Sequence, residues 1–176
     1  MLSRSIDLLL ATSSSMTPTV QWKDVNNDNL GKAYATALFF NGLVYIGSGE
    51  TPGYFLSSSI NVYDPNNDKW SKSLEVNRYR FTLAVLNKLI IFGGGSDDDV
   101  GFKTIDTIAE LDNDRFINTI MMKTGRAYAT AVGHNGMLIV TGGRVQNGNR
   151  NSAISSTELY DTSTKKWYAC DDLPKP

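Results

Sequence analysis

The sequence predicts an all-β chain built from three copies of one four-stranded antiparallel unit, and three observations carry that prediction. A turn residue recurs as Asn41, Asn87 and Asn135, at gaps of 46 and 48 residues. A glycine that closes the following strand recurs as Gly49, Gly95 and Gly143, at the same gaps. A basic residue opens each unit as Lys32, Arg78 and Arg126, again 46 and 48 apart. Two further markers keep the order: an acid at Asp64, Asp112 and Asp161, and an aromatic at Trp22, Trp70, Phe116 and Trp167. Five markers in one order at nearly one spacing indicate a repeat architecture, in which each copy is one supersecondary unit.

Each unit makes physical sense as a small sheet. In the first, residues 33–40 and 43–46 are apolar, β-rich runs on either side of Asn41-Gly42. Asn-Gly supplies the positive-φ pair of a two-residue hairpin turn. A glycine doublet ends the second strand, where a backbone without Cβ permits an unusual φ or a close approach. The third strand, 60–63, stops at the turn cluster Asp64-Pro65-Asn66-Asn67. A short fourth strand surrounds Trp70. Four antiparallel strands in about 50 residues form a propeller blade.

The units resemble Kelch repeats, whose pattern has a basic residue before the first strand, Gly-Gly after the second, Tyr-Asp after the third and Trp in the fourth. The third unit matches at Arg126, Gly142-Gly143, Tyr160-Asp161 and Trp167. The first matches at Tyr63-Asp64 and Trp70, with Ser48-Gly49 for the doublet and Lys32 for the arginine. The second keeps Arg78 and Gly94-Gly95, with Leu111-Asp112 and Phe116 for the other two. The resemblance implies a Kelch-type β-propeller of three four-stranded blades, at about 32–72, 78–120 and 126–170. An orphan strand at 20–25 carries Trp22 at the fourth-strand position, with no first three strands before it.

Residues 1–19 read as a flexible leader and 20–176 as the repeat region. The run Ile6-Asp7-Leu8-Leu9-Leu10-Ala11 has a second reading, a signal peptide, which Asp7 and its short length argue against. Propellers typically have about 4–8 blades. Three blades and one strand leave two apolar end faces, which imply one of three arrangements. The chain is a piece of a larger propeller, two chains share one ring, or an open arc is tolerated.

Composition bounds the function. The chain has 17 basic and 18 acidic residues, so no cationic excess marks a nucleic-acid or membrane surface. Its one cysteine, Cys170, excludes an internal disulfide, and no Asn-x-Ser/Thr acceptor occurs. Both features lean towards the cytoplasm. One histidine and one cysteine do not build a His/Cys zinc cage, so no metal and no cofactor is expected. That shortage also rejects the copper-oxidase chemistry of some Kelch-type propellers. Asp97-Asp98-Asp99 lacks the spacing of a calcium loop and reads as a solvated turn. Gly93-Gly94-Gly95 precedes no Lys-Ser/Thr or helix start, so it is no phosphate cradle. His134 precedes Asn135-Gly136 as a turn residue with no catalytic partner, and no catalytic residue is assigned.

The candidate site is a partner-binding one. Lys32, Arg78 and Arg126 each precede an innermost strand, and in this fold they are expected near one mouth of the central channel. There the resemblance implies contact with partner peptides, and arginine suits carboxylate-bearing ligands. The competing reading has each basic residue bonding nearby loop carbonyls and holding the blade in register. Arg144 and Arg150 lie in the longest loop, a second contact surface. The tryptophans and tyrosines of the repeat are expected to pack between blades, with sugar or base stacking as the alternative. The function expected is a non-enzymatic interaction module or adaptor that binds a protein partner through blade loops, an acidic peptide being one candidate. The alternatives are a fragment of a larger adaptor or sugar-converting enzyme, and a homo-oligomer that completes the propeller.

Overall fold

The computed structural model describes residues 32–175 except 54, 77, 87, 93–94, 99–100, 105–106, 113–114 and 148–149. The leader and the strand expected at 20–25 lie outside the described residues. Blade one comprises β1 (Thr36–Phe40), β2 (Leu43–Gly47), the short pair β3 (Glu50–Thr51) and β4 (Phe55–Leu56), then β5 (Ser59–Asp64) and β6 (Lys69–Glu75). Blade two comprises β7 (Thr82–Leu86), β8 (Lys88–Phe92), β9 (Gly95–Asp98), β10 (Gly101–Thr104), β11 (Thr107–Asp112) and β12 (Arg115–Met121). Blade three comprises β13 (Thr130–His134), β14 (Met137–Thr141), β15 (Arg144–Asn147), β16 (Arg150–Ala153), β17 (Thr157–Asp161) and β18 (Lys166–Ala169). The main sheets run β1-β2-β5-β6, β7-β8-β11-β12 and β13-β14-β17-β18, all antiparallel neighbours. Among the described residues this is an all-β propeller architecture of three four-stranded blades.

The turns form for the reasons the sequence predicts. Asn41 and Gly42 have φ of 49° and 80°, and Asn135 and Gly136 have 49° and 74°. That pair of left-handed residues is what a two-residue hairpin with native strand twist requires. Both doublet positions are also left-handed, at Gly142 and Gly143 and again at Ser48 and Gly49. Ser48 therefore holds a conformation that glycine adopts at lower cost. Asp161 Oδ1 accepts the Ser163 N–H at 2.8 Å and hydroxyl at 2.7 Å, closing the turn into β18. Asp64 does the same for blade one, accepting the Asn66 N–H at 2.9 Å.

Two expectations are corrected. The first strand begins at Thr36, not at Ala33, because Tyr34 has φ 57° and breaks the extended run. The segments after the doublets are not loops but two-stranded hairpins, β3–β4, β9–β10 and β15–β16. Their sequences lack a sustained apolar alternation, so hydrophobic periodicity has little to detect. They are joined by main-chain pairing, to which Thr51 Oγ1 adds a bond to the Phe55 carbonyl at 3.2 Å.

The cores lie between blades rather than within them. Blade one contributes Tyr45, Ile60, Val62, Leu74 and Val76, which pack with Phe81 and Leu83 of blade two. Ala84, Leu86 and Met122 of blade two pack with Ala129, Leu138, Val140 and Tyr160 of blade three. Each strand thus offers alternate residues to opposite neighbours, as period-2 geometry demands. The innermost strands are also tied directly. Thr82 Oγ1 donates to the Ala129 carbonyl at 2.7 Å, and the Leu83 N–H donates to Thr36 Oγ1 at 3.4 Å. Tyr63 and Trp70 stand opposite on β5 and β6, with ring centroids 5.2 Å apart. Tyr160 and Trp167 repeat the arrangement at 5.1 Å. Leu111 and Phe116 are opposite each other at the equivalent place in blade two.

Candidate functional site

The residues two positions after each basic residue are Tyr34, Arg80 and Tyr128, with φ of 57°, 57° and 56°. A left-handed residue turns the chain sharply and projects its side chain away from the strand that follows. All three line one cleft of about 290 Å³, together with Thr36, Thr82 and Thr130 of the innermost strands, Ser48 and Gly49 of the first doublet and Glu50 of β3. The cleft therefore sits where the three blades converge. Tyr34 is 84% exposed and Tyr128 51%. The Arg80 guanidinium lies 5.5 Å from the Tyr128 ring centroid, and that of Arg144 lies 5.9 Å from it. Arg144 is exposed and is anchored through its backbone, which pairs with Ala127. Two cations at one half-exposed ring make an anion-attracting patch, and each is oriented by the ring face. Glu50 is the carboxylate among the lining residues.

The basic residues themselves stand elsewhere. Arg126 is fully buried. Its Nη1 donates to the carbonyls of Gly142 at 3.1 Å and Ser156 at 2.9 Å. Its Nη2 donates to Ser156 Oγ at 3.2 Å and to Glu158 Oε1 at 2.6 Å. Glu158 Oε2 accepts the Lys123 N–H at 3.2 Å, so both carboxylate oxygens are engaged. Arg126 thus ties the linker into blade three to the end of β14 and the start of β17. Lys32 does the same more weakly, donating to the carbonyl and hydroxyl of Ser59 at 3.0 and 3.2 Å. Ser59 and Ser156 each lie four residues before the repeat's tyrosine, and Asn61 stands in blade one where Glu158 stands in blade three. Arg78 is buried, and burial lowers its guanidinium to about 10, still charged at neutral pH. None of the three lines the cleft, and the contacts of Arg126 and Lys32 are those of the competing reading, a clamp on loop carbonyls. Arg150 falls in β16, on the hairpin that β15 begins with Arg144. Sequence reasoning stopped one step short of the cleft, since Tyr34, Arg80 and Tyr128 share the same gaps of 46 and 48.

Lys32 yields a pH prediction. Burial pushes its ammonium down to about 8 from 10.5, with Glu75 acting in the opposite direction. Below pH 8 the cation persists in folded and unfolded chain alike, and its burial opposes folding. Between about 8 and 10.5 the folded chain releases the proton first, so stability rises with pH through that window. The wild-type urea midpoint measured against Lys32→Met is expected to climb from pH 8 to 10.5; parallel curves contradict the assignment.

Among known proteins, the Kelch motif profile matches residues 125–174, the whole of blade three. Kelch-like protein 36 of Mus musculus is 31% identical over 126 residues, which are 68% of this chain and 20% of that protein. Kelch-like protein 41b of Danio rerio is 29% identical over 119 residues, 66% of this chain and 19% of that protein. The chain belongs to the Kelch repeat family. As a Kelch protein it spans about one fifth of the length of these relatives. The solved structure of YjhT has the same fold, at TM-score 0.65 and 20% identity, over 85% of this chain and 54% of that one. No helix among the described residues is long and apolar enough to cross a membrane.

Proposed function

We propose that this chain is a non-enzymatic protein-interaction module whose three-blade mouth grips an acidic segment of a partner protein. The observation that carries the reading is the convergence of Tyr34, Arg80 and Tyr128, from three consecutive blades, on one cleft. Exposed tyrosines supply rigid contact area, and arginine held at a ring supplies a preset fork for a carboxylate. A cleft of about 290 Å³ is at the low end for a small-molecule site and suits one or two side chains of a peptide. Kelch-like names among the relatives support an interaction role in general. The cationic residues that meet the partner are Arg80 and Arg144, with Lys32 and Arg126 holding the loops from behind.

The test is binding of the whole chain to an array of acidic, neutral and basic peptides. Acidic peptides are expected to be retained, less so at high salt because exposed charges are screened. Arg80→Ala and Tyr128→Ala are each expected to weaken the retained peptides by roughly 10–30-fold, as hot-spot truncations do. Equal retention of basic peptides, or unchanged binding by both variants, rejects the proposal.

A further inference from the structure

Blade one carries its clamp in a different chemical form from blade three. Lys32 stands in the place of Arg126, and the neutral Asn61 in that of Glu158. Among the described residues, the Lys32 ammonium bonds to Ser59 and not to Asn61, whose buried Oδ1 accepts no hydrogen bond. Six residues before the repeat tyrosine, blade one has Ser57 where blade three has Ile154. Ser57 Oγ lies 3.3 Å from Ser59 Oγ, which in turn lies 3.2 Å from Lys32 Nζ. An amine and two hydroxyls therefore stand in a row that blade three does not have. Ser57 is buried and fixed through its N–H, which donates to the Gly49 carbonyl at 2.9 Å. Lys32 and Ser59 keep part of their surface in solvent. Burial pushes the Lys32 ammonium down to about 8, and Glu75 of β6, which draws it the other way, is exposed and accepts the Ser58 hydroxyl at 3.2 Å.

We infer that Lys32 is an acylation site, whose amine takes an acyl group from a thioester while the hydroxyls of Ser59 and Ser57 carry and orient the proton. The amine lone pair adds to the thioester carbonyl, a C–N bond forms, the C–S bond breaks, and the thiolate leaves with the bonding electrons. The proton that the amine sheds passes to Ser59 Oγ, and the Ser59 proton goes to the thiolate, so an amide and a thiol result. Ser57 is a positioning residue: its Oγ accepts the Ser59 N–H at 3.4 Å and keeps the Ser59 hydroxyl in line. A nucleophile with a proton carrier in reach, oriented by a third group, is the arrangement such steps use. Loss of the Lys32 charge strands no acid in the clamp, because Asn61 is neutral. The same reaction is closed to Arg126, whose guanidinium does not deprotonate and is paired with Glu158. The site adjoins the cleft, since the neighbouring Ala33 pairs in both directions with Glu50 at 2.9 Å, and Glu50 lines it.

Incubation of the whole chain with an acetyl thioester, followed by peptide mapping in a mass spectrometer, tests this. At pH 8 such an amine is about half neutral, against well under a hundredth for an ordinary lysine. Lower nucleophilicity and partial burial offset much of that lead. Lys32 is therefore expected to be acetylated roughly 10-fold faster than the exposed Lys69, Lys165 and Lys166. Its rate is expected to level off above a pH of about 8. Ser57→Ala and Ser59→Ala are each expected to slow Lys32 several-fold while Lys165 keeps its rate, with the urea midpoint checking that each variant is folded. Unfolding the wild type in urea is expected to abolish the lead. A Lys32 rate no higher than those of the exposed lysines overturns the inference. So does a lead that survives both serine variants or urea, or an acetyl ester that stays on Ser59.

Discussion

Arg126→Met is expected to cost about 3–5 kcal/mol of folding stability, the range for removing one partner of a buried ion pair. The guanidinium has no exposed surface, so water gives it no alternative partner. Its loss leaves Glu158 buried beside the Lys123 N–H, takes the guanidinium from the Gly142 carbonyl, and leaves the Ser156 carbonyl only the Gly142 N–H at 3.1 Å. Arg126→Lys is expected to recover little, because a single ammonium does not span the carbonyls and the carboxylate at once. The double variant Arg126→Met, Glu158→Gln is expected to be less damaged than the sum of its parts, since the stranded charge is gone. Urea unfolding measures all three. A loss below about 1 kcal/mol for Arg126→Met would mean that the clamp is not what joins these strands.

Gly133→Ala is expected to be nearly as damaging for a purely steric reason. A Cβ at this position falls 1.7 Å from the Val85 carbonyl oxygen and 2.8 Å from its carbon. Both atoms are backbone, so no rotamer change relieves the overlap, and β13 has to retreat from β7 across the second core. Over-packing against main chain lies at the upper end of its usual cost, about 3 kcal/mol. Gly42→Ala is the control, since nothing lies within 4 Å of its added Cβ and only its φ of 80° resists. That substitution is expected to cost about 1–2 kcal/mol. Equal losses for the two would show that the close approach of blades two and three is not limiting.

The mouth tests a different property, because Arg80 and Tyr128 contribute little to either core. Variants there are expected to change binding with stability nearly unaltered, whereas Arg126 and Gly133 change stability first. The two classes separate ligand recognition from the scaffold that carries it.

The blade pattern was legible because it rests on local chemistry. Asn-Gly sets a hairpin, a glycine doublet ends a strand, an aspartate opens the next turn, and apolar β-rich runs mark the strands between them, each within a few residues. Repetition at 46 and 48 residues multiplied those weak signals into an architecture. The same reading put Lys32, Arg78 and Arg126 at the channel mouth, since sequence spacing orders residues along the chain but not by depth. Only tertiary structure decided that Arg126 turns inward to Glu158, because a guanidinium goes where unsatisfied carbonyls and a carboxylate await it, and those lie 16 to 32 residues away. Tertiary structure alone also joined Tyr34, Arg80 and Tyr128 in one cleft and pressed Gly133 against Val85. Contacts between blades depend on the packing distance of separate sheets, which no stretch of sequence encodes by itself.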